Sequence, residues 1–135
     1  MITYTLDTNI VTYLLKGLYD IDKKLKDELK SGNNITMNPI TYYEICRGLL
    51  TVKSQNKLQT FKEICEIFGV VEFSKDVMDI AADIYVDLRQ KGEIVEDADI
   101  IIAAISIHKG YTLVTNNEKH FNRIKGLKTA NWIGK

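Results

Sequence analysis

The chain has 135 residues, 45% of them apolar and 27% charged. That is the size and composition of one soluble globular domain, not of a disordered, fibrous or disulfide-stapled chain. Lys plus Arg and Asp plus Glu each number 18, so the formal net charge is zero; this neither requires nor excludes a polyanionic partner, because a basic rim can balance an acidic centre.

No apolar run approaches the ~20 residues that span a bilayer, so no membrane association is expected. The start, Met1-Ile2-Thr3-Tyr4-Thr5-Leu6-Asp7, lacks a basic, cleavable signal pattern, and the expected location is cytoplasmic. Cys46 and Cys65 are isolated and lack metal-ligand spacing, which predicts two reduced core residues. One Pro, no low-complexity stretch and no repeat predict a single domain over residues 1–135.

Ile2 to Leu6 reads as a short strand rich in β-formers. Asp7-Thr8-Asn9 are good helix caps, and a short helix is expected from Ile10 to Leu15, ending near Gly17. Ile21, Leu25 and Leu29 predict an amphipathic helix over Asp20 to Lys30, stopped by Ser31-Gly32-Asn33. Asn34 to Met37 is a second strand. Pro39 and Thr41 lead into a helix from about Tyr42 to Leu50 that carries Glu44 in its first turns. Leu58, Phe61, Ile64, Cys65 and Phe68 mark the next helix. Val70 to Phe73 is the third expected strand. Ser74 caps a helix whose stripe is Val77, Ile80, Ala81, Ile84 and Leu88. Ala98 to His108 is apolar nearly all round and predicts a buried helix, broken by Gly110. Tyr111 to Thr115 is a fourth strand, and Lys128 to Trp132 a short fifth.

Strands alternating with helices imply an α/β fold with a mostly parallel sheet covered on both faces. Ligands of such sheets gather outside the carboxyl ends of the strands. Asp7 follows the first strand, Glu44 lies on the helix after the second, and Asn116-Asn117 follow the fourth. Asp97 and Asp99 open the buried helix. A carboxylate beside a core is costly unless it is paired, hydrogen-bonded or bound to a cation. Asp7, Glu44, Asp97 and Asp99 are therefore candidate ligands of a divalent metal. All-oxygen donors favour Mg²⁺ or Mn²⁺, and such an ion suits phosphodiester hydrolysis. His108 and His120 are not spaced as a ligand pair and are expected to be structural or solvated.

A phosphoacceptor receiver domain has similar alternation and an acid after strand one. It also needs an Asp directly after strand three, where this chain has Ser74-Lys75-Asp76.

Four segments together carry a more specific likeness. Leu6-Asp7-Thr8-Asn9, Thr41-Tyr42-Tyr43-Glu44-Ile45-Cys46-Arg47-Gly48, Asp97-Ala98-Asp99-Ile100-Ile101-Ile102-Ala103-Ala104, and Leu113-Val114-Thr115-Asn116-Asn117 with His120-Phe121 resemble the successive motifs of PIN-domain proteins. The short length and the ending Ile124-Lys125-Gly126-Leu127 with Trp132 resemble the VapC toxins of type II toxin–antitoxin systems.

The resemblance implies a PIN-like three-layer fold, with a sheet of four to five strands flanked by helices. It also implies a Mg²⁺- or Mn²⁺-dependent endoribonuclease that leaves 5′-phosphate and 3′-hydroxyl ends. Asp7 and Asp99 take the central metal positions, Glu44 completes the acidic set and Asp97 is secondary. Thr8, Asn9 and Thr115 match polar supporting positions. Asn117 stands where many PIN nucleases carry a fourth acid, which lowers the negative charge of the site. Arg47, Arg89, Lys91 and Lys16 are the expected contacts to the RNA backbone, and single-stranded or loop RNA, tRNA included, is the expected substrate. A cognate VapB-like antitoxin and a homodimer complete the implied partners.

Overall fold

The computed structural model describes residues 1–133; the last two positions of the expected domain lie outside the described residues. Strands β1 (Thr3–Leu6), β2 (Asn34–Thr36), β3 (Thr112–Val114) and β4 (Lys128–Ala130) form one sheet in the order β2-β1-β3-β4. Every neighbouring pair is parallel: Tyr4 lies opposite both Ile35 and Thr112, Leu6 opposite Val114, and Val114 opposite Ala130. All four carboxyl ends therefore share one edge.

The helices are α1 (Thr8–Lys16), α2 (Ile21–Lys30), α3 (Pro39–Thr51), α4 (Gln55–Phe68), α5 (Lys75–Gln90), α6 (Asp97–Lys109) and the short α7 (Glu118–Phe121). They form two outer layers around the sheet, as the alternation of a pleated strand demands. Val114 joins the core under α1 to α4, with Ile10, Ile21, Ile45 and Phe61. Its neighbour Leu113 joins the opposite core, with Val77, Leu88, Ile102 and Phe121. Each fully buried aliphatic or aromatic side chain of this kind stabilises the fold by about 1.5–3 kcal/mol. Among the described residues, no helix is long and apolar enough to cross a membrane.

Two expected boundaries move for identifiable reasons. The strand expected at Val70 to Phe73 is reduced to one parallel bridge between Met37 and Val70. Met37 N–H donates to Gly69 O at 3.0 Å and Val71 N–H to Met37 O at 2.8 Å. The chain then leaves the sheet edge, because Ser74 already caps α5 through Val77 N–H. Hence the sheet has four strands, and the segment from Lys128 supplies the fourth. The helix expected from Tyr42 starts at Pro39 instead. Asn38 caps it, accepting from Thr41 N–H at 2.8 Å, and Pro suits the first helical position because its missing N–H is not needed there.

Helix α6 sets the direction of the site. It is buried over Ile100 and from Ile102 to Ser106. Gly110 closes it at φ 71°, and Tyr111 N–H returns to Ser106 O at 2.9 Å. So tight a reversal into β3 makes α6 antiparallel to the strands. Its first turn, with Asp97 and Asp99, consequently emerges at the carboxyl edge.

Candidate metal centre

Asp7 is the first residue past β1, and its backbone N–H still donates to Val114 O at 2.9 Å. The carboxylate is 9% exposed. Thr8 N–H donates to Oδ1 at 2.9 Å, and the Thr115 hydroxyl donates to Oδ2 at 2.8 Å. Thr115 is itself held, since its N–H donates to Ala130 O at 2.9 Å and its hydroxyl accepts Asn117 N–H at 3.0 Å. Thr115 thus extends β3 towards β4 while it orients the acid that follows β1. The side chain of Asn117 is exposed at the N-terminus of α7.

Glu44 comes from α3. The Thr8 hydroxyl donates to Glu44 Oε1 at 2.6 Å, and Arg47 faces Oε2 at 3.6 Å. The register of α3 against β1 is set by buried polar contacts. The Thr41 hydroxyl donates to Leu6 O at 3.0 Å, and Asn38 Nδ2 reaches Thr41 Oγ1 at 3.1 Å.

Asp99 completes the group from α6. Its Oδ2 lies 3.1 Å from His120 Nε2, and His120 Nδ1 lies 2.8 Å from Arg123 Nη2.

Thr8 links Asp7 and Glu44 by hydrogen bonds, and the charge of Asp99 also acts on Asp7. The Asp7 carboxyl is raised above its ordinary value, mainly by burial. Hydrogen bonds from Thr115 and Thr8 pull it down, and the charges of Asp99 and Glu44 push it up. Asp99 is also raised, first by burial, then by Glu96 and Glu44, against the lowering effect of His120. Like charges held together in this way are relieved by a cation.

Asp97 is exposed and absent from this set of interactions. Residues two apart on a helix do not share a face, so the orientation that brings Asp99 to the cleft turns Asp97 away. Asn9 is exposed on the first turn of α1. Lys16 lines a cleft of about 330 Å³ together with Thr8 and Glu44. Arg47 lies over the Tyr43 ring at 5.1 Å. Arg89 and Lys91 sit at the C-terminal end of α5, where Lys91 pairs with Asp87 at 2.9 Å, Arg89 donates to the Tyr85 hydroxyl at 3.1 Å, and Arg89 lines a small cavity with Glu93 and Ile100.

Among the described residues, no three His, Cys, Asp or Glu side chains are gathered closely enough to hold a metal ion between them. Mg²⁺ keeps several waters and is usually bound through one or two carboxylates plus substrate phosphate oxygens, so it does not need three protein ligands at once. The donors at hand, Asp7, Glu44 and Asp99, are all carboxylate oxygens, as a hard cation requires.

The sequence model of the PIN domain matches residues 4–127. The chain belongs to the PIN-domain family. Within it, its relatives are VapC proteins. Ribonuclease VapC1 of Methanocaldococcus jannaschii is 38% identical over 113 residues, covering 82% of this chain and 79% of the relative. Ribonuclease VapC2 of Rickettsia felis is 34% identical over 133 residues, covering 96% and 97%. The crystal structure of VapBC2 from Rickettsia felis, bound to a DNA fragment from its promoter, contains a chain that superposes with a TM-score of 0.88. That chain is 30% identical, and the match covers 97% of this PIN domain and 99% of it.

Several contacts that shape this PIN-domain site were not legible in the sequence. His120, expected to be structural or solvated, touches Asp99, and Arg123 holds its other ring nitrogen. The helix α7 that presents His120 has only four residues, too few for a hydrophobic period. Asn38 and Thr41 are wholly buried; the Asn38-Pro39 pair was the available signal for them.

Proposed function

We propose that this VapC-family PIN domain is a Mg²⁺- or Mn²⁺-dependent endoribonuclease and the toxin of a type II toxin–antitoxin pair. The observation that carries the reading is the convergence of Asp7, Glu44 and Asp99 at the carboxyl edge of the sheet, where Asp99 and Glu44 make the charge of Asp7 more costly and Glu44 that of Asp99. The ribonuclease names of its relatives support the same reading.

Asp7, Glu44 and Asp99 would hold the ion. When bound, it supplies positive charge to the phosphoryl oxygens and lowers the pKa of a bound water. The protein's own work is placement. Thr8 and Thr115 aim the Asp7 oxygens, and Thr8 also anchors Glu44. Asn117 adds no charge, so three carboxylates and one neutral amide face the substrate, which favours one firmly held ion over two. Arg47 and Lys16, on the Glu44 side, would take RNA phosphates, and Arg89 and Lys91, at the end of α5 that packs beside the start of α6, would add positive charge on the Asp99 side. Single-stranded or loop RNA, such as a tRNA loop, is the fitting substrate.

A cognate VapB-like antitoxin would restrain the enzyme, inserting a segment at the acidic cleft; the similar structure from Rickettsia felis is of VapBC2 bound to promoter DNA. A homodimer is the proposed assembly. Expression of the wild type against Asp7→Asn and Asp99→Asn tests the reading. The wild type should arrest growth and create new RNA 5′ ends, and either substitution should abolish both. An Asp7→Asn protein as toxic as the wild type would contradict it.

A further inference from the structure

Asp99 is the one acid of the three whose orientation depends on a residue of the short helix α7. Its Oδ2 meets His120 Nε2 at 3.1 Å. The opposite ring nitrogen, Nδ1, lies 2.8 Å from Arg123 Nη2. A guanidinium has donors only, so Nδ1 must accept, and the ring's single hydrogen is therefore on Nε2. Nε2–H then donates to the carboxylate. The second oxygen, Oδ1, receives no hydrogen bond among the described residues and is the one open to a cation.

Arg123 is held in place in turn. Its Nε donates to His120 O at 3.0 Å and its Nη2 to Ile94 O at 3.4 Å. Glu93 Oε2 is buried without a hydrogen-bond partner and faces Arg123 Nε at 3.8 Å. Phe121, 1% exposed, anchors α7 in the core and packs edge-on against the His120 ring at 5.1 Å. Glu93, Arg123, His120 and Asp99 thus form one continuous chain of contacts, in which a neutral imidazole links the Arg123 guanidinium to the Asp99 carboxylate.

We infer that His120, locked in its Nε2–H form by Arg123, is the positioning residue that fixes the Asp99 carboxylate for metal binding. The inference rests on the metal-site reading above. It assigns His120 no contact with the ion and no role as a base, because both ring nitrogens are occupied. Such carboxylate-orienting partners typically contribute 10–100-fold to metal affinity.

Two measurements test it. In the metal-free wild type, long-range proton–nitrogen NMR should find the His120 hydrogen on Nε2. Arg123→Ala should release that preference. By calorimetry, His120→Ala should bind Mg²⁺ about tenfold or more weakly than the wild type. His120→Gln, whose amide nitrogen can replace Nε2 as donor, should recover to within about threefold. A wild-type hydrogen on Nδ1 would overturn the inference even if His120→Ala failed to fold. Unchanged Mg²⁺ affinity in His120→Ala, or no recovery in a folded His120→Gln, would do the same and leave the metal site standing. A wild type that binds neither Mg²⁺ nor Mn²⁺ would overturn the metal reading and the role of His120 with it.

Discussion

The Thr8 hydroxyl donates to Glu44 Oε1 at 2.6 Å across 36 positions of sequence. The same residue's backbone N–H donates to Asp7 Oδ1 at 2.9 Å. One threonine at the first turn of α1 therefore couples two acids that would otherwise repel. Glu44 Oε1 and Asp7 Oδ1 are engaged through it, and the angle of α3 to β1 is tied to the geometry of the site.

Thr115 performs the matching task on the other side of Asp7. Thr115→Val keeps the shape but removes the donor to Asp7 Oδ2 and the acceptor for Asn117 N–H. Leaving such buried groups unmatched costs about 1–3 kcal/mol. Urea unfolding should show that loss, and Thr115→Ser should lose less. An unchanged midpoint for Thr115→Val would show that the hydroxyl is not holding the acid.

The acids also make the metal-free protein sensitive to pH. Asp7 and Asp99 both have raised folded pKa values, chiefly through burial. A raised group stabilises the fold fully below its unfolded pKa, and that contribution is lost as pH rises through the folded value. In EDTA, the melting temperature should therefore fall as pH rises from about 4, the ordinary carboxylate range, until the raised values are passed. Asp99→Asn should melt higher than the wild type at neutral pH in EDTA and show a flatter profile. A lower melting temperature for Asp99→Asn at neutral pH would refute the assignment of strain to this cluster.

Asn38 is the buried hinge between β1 and α3. Asn38→Ala removes the helix cap, worth about 1 kcal/mol. It also strips a partner from Thr41, Thr5 and Leu6 O, for a total loss of about 2–4 kcal/mol. Because α3 carries Glu44, the folded fraction should also cleave RNA more slowly. Denaturant unfolding and a cleavage rate corrected for folded protein separate the two effects. A rate equal to wild type would free Glu44 from dependence on this cap.

Cys65 is pushed up to about 11, by burial first and then by Cys46 and Glu66. At pH 8 only about one part in a thousand is thiolate. Alkylation followed by mass spectrometry should leave Cys65 unmodified in the native protein and modify it in urea. Native labelling at the rate of a free cysteine would contradict the packing of α4 against α3.

Much of this arrangement was legible in the sequence because it rests on local periodicity. The nearly uninterrupted apolar run from Ile100 to Ile107 declared a buried helix, and it is one. Leu6-Asp7 declared a strand ending in an acid, and Asp7 does lie at the carboxyl edge. What could not be read depends on contacts between distant segments. Val70 to Phe73 has the composition of a strand, yet only one bridge forms before Ser74 turns the chain into α5. The contact of His120 with Asp99 was not legible because the two are 21 positions apart. Asp97 and Asp99 are alike as residue types; the family resemblance put Asp99 ahead of Asp97, and of the two only Asp99 is among the charges that act on Asp7.

The central claim is that Asp7, Glu44 and Asp99 form one divalent-metal site. Calorimetric titration of the metal-free protein with Mg²⁺ tests it most directly, comparing the wild type with Asp7→Asn, Asp99→Asn and Glu44→Gln. The wild type should bind, Asp7→Asn and Asp99→Asn should lose measurable binding, and Glu44→Gln should bind more weakly. Wild-type affinity in a folded Asp7→Asn protein would contradict the account.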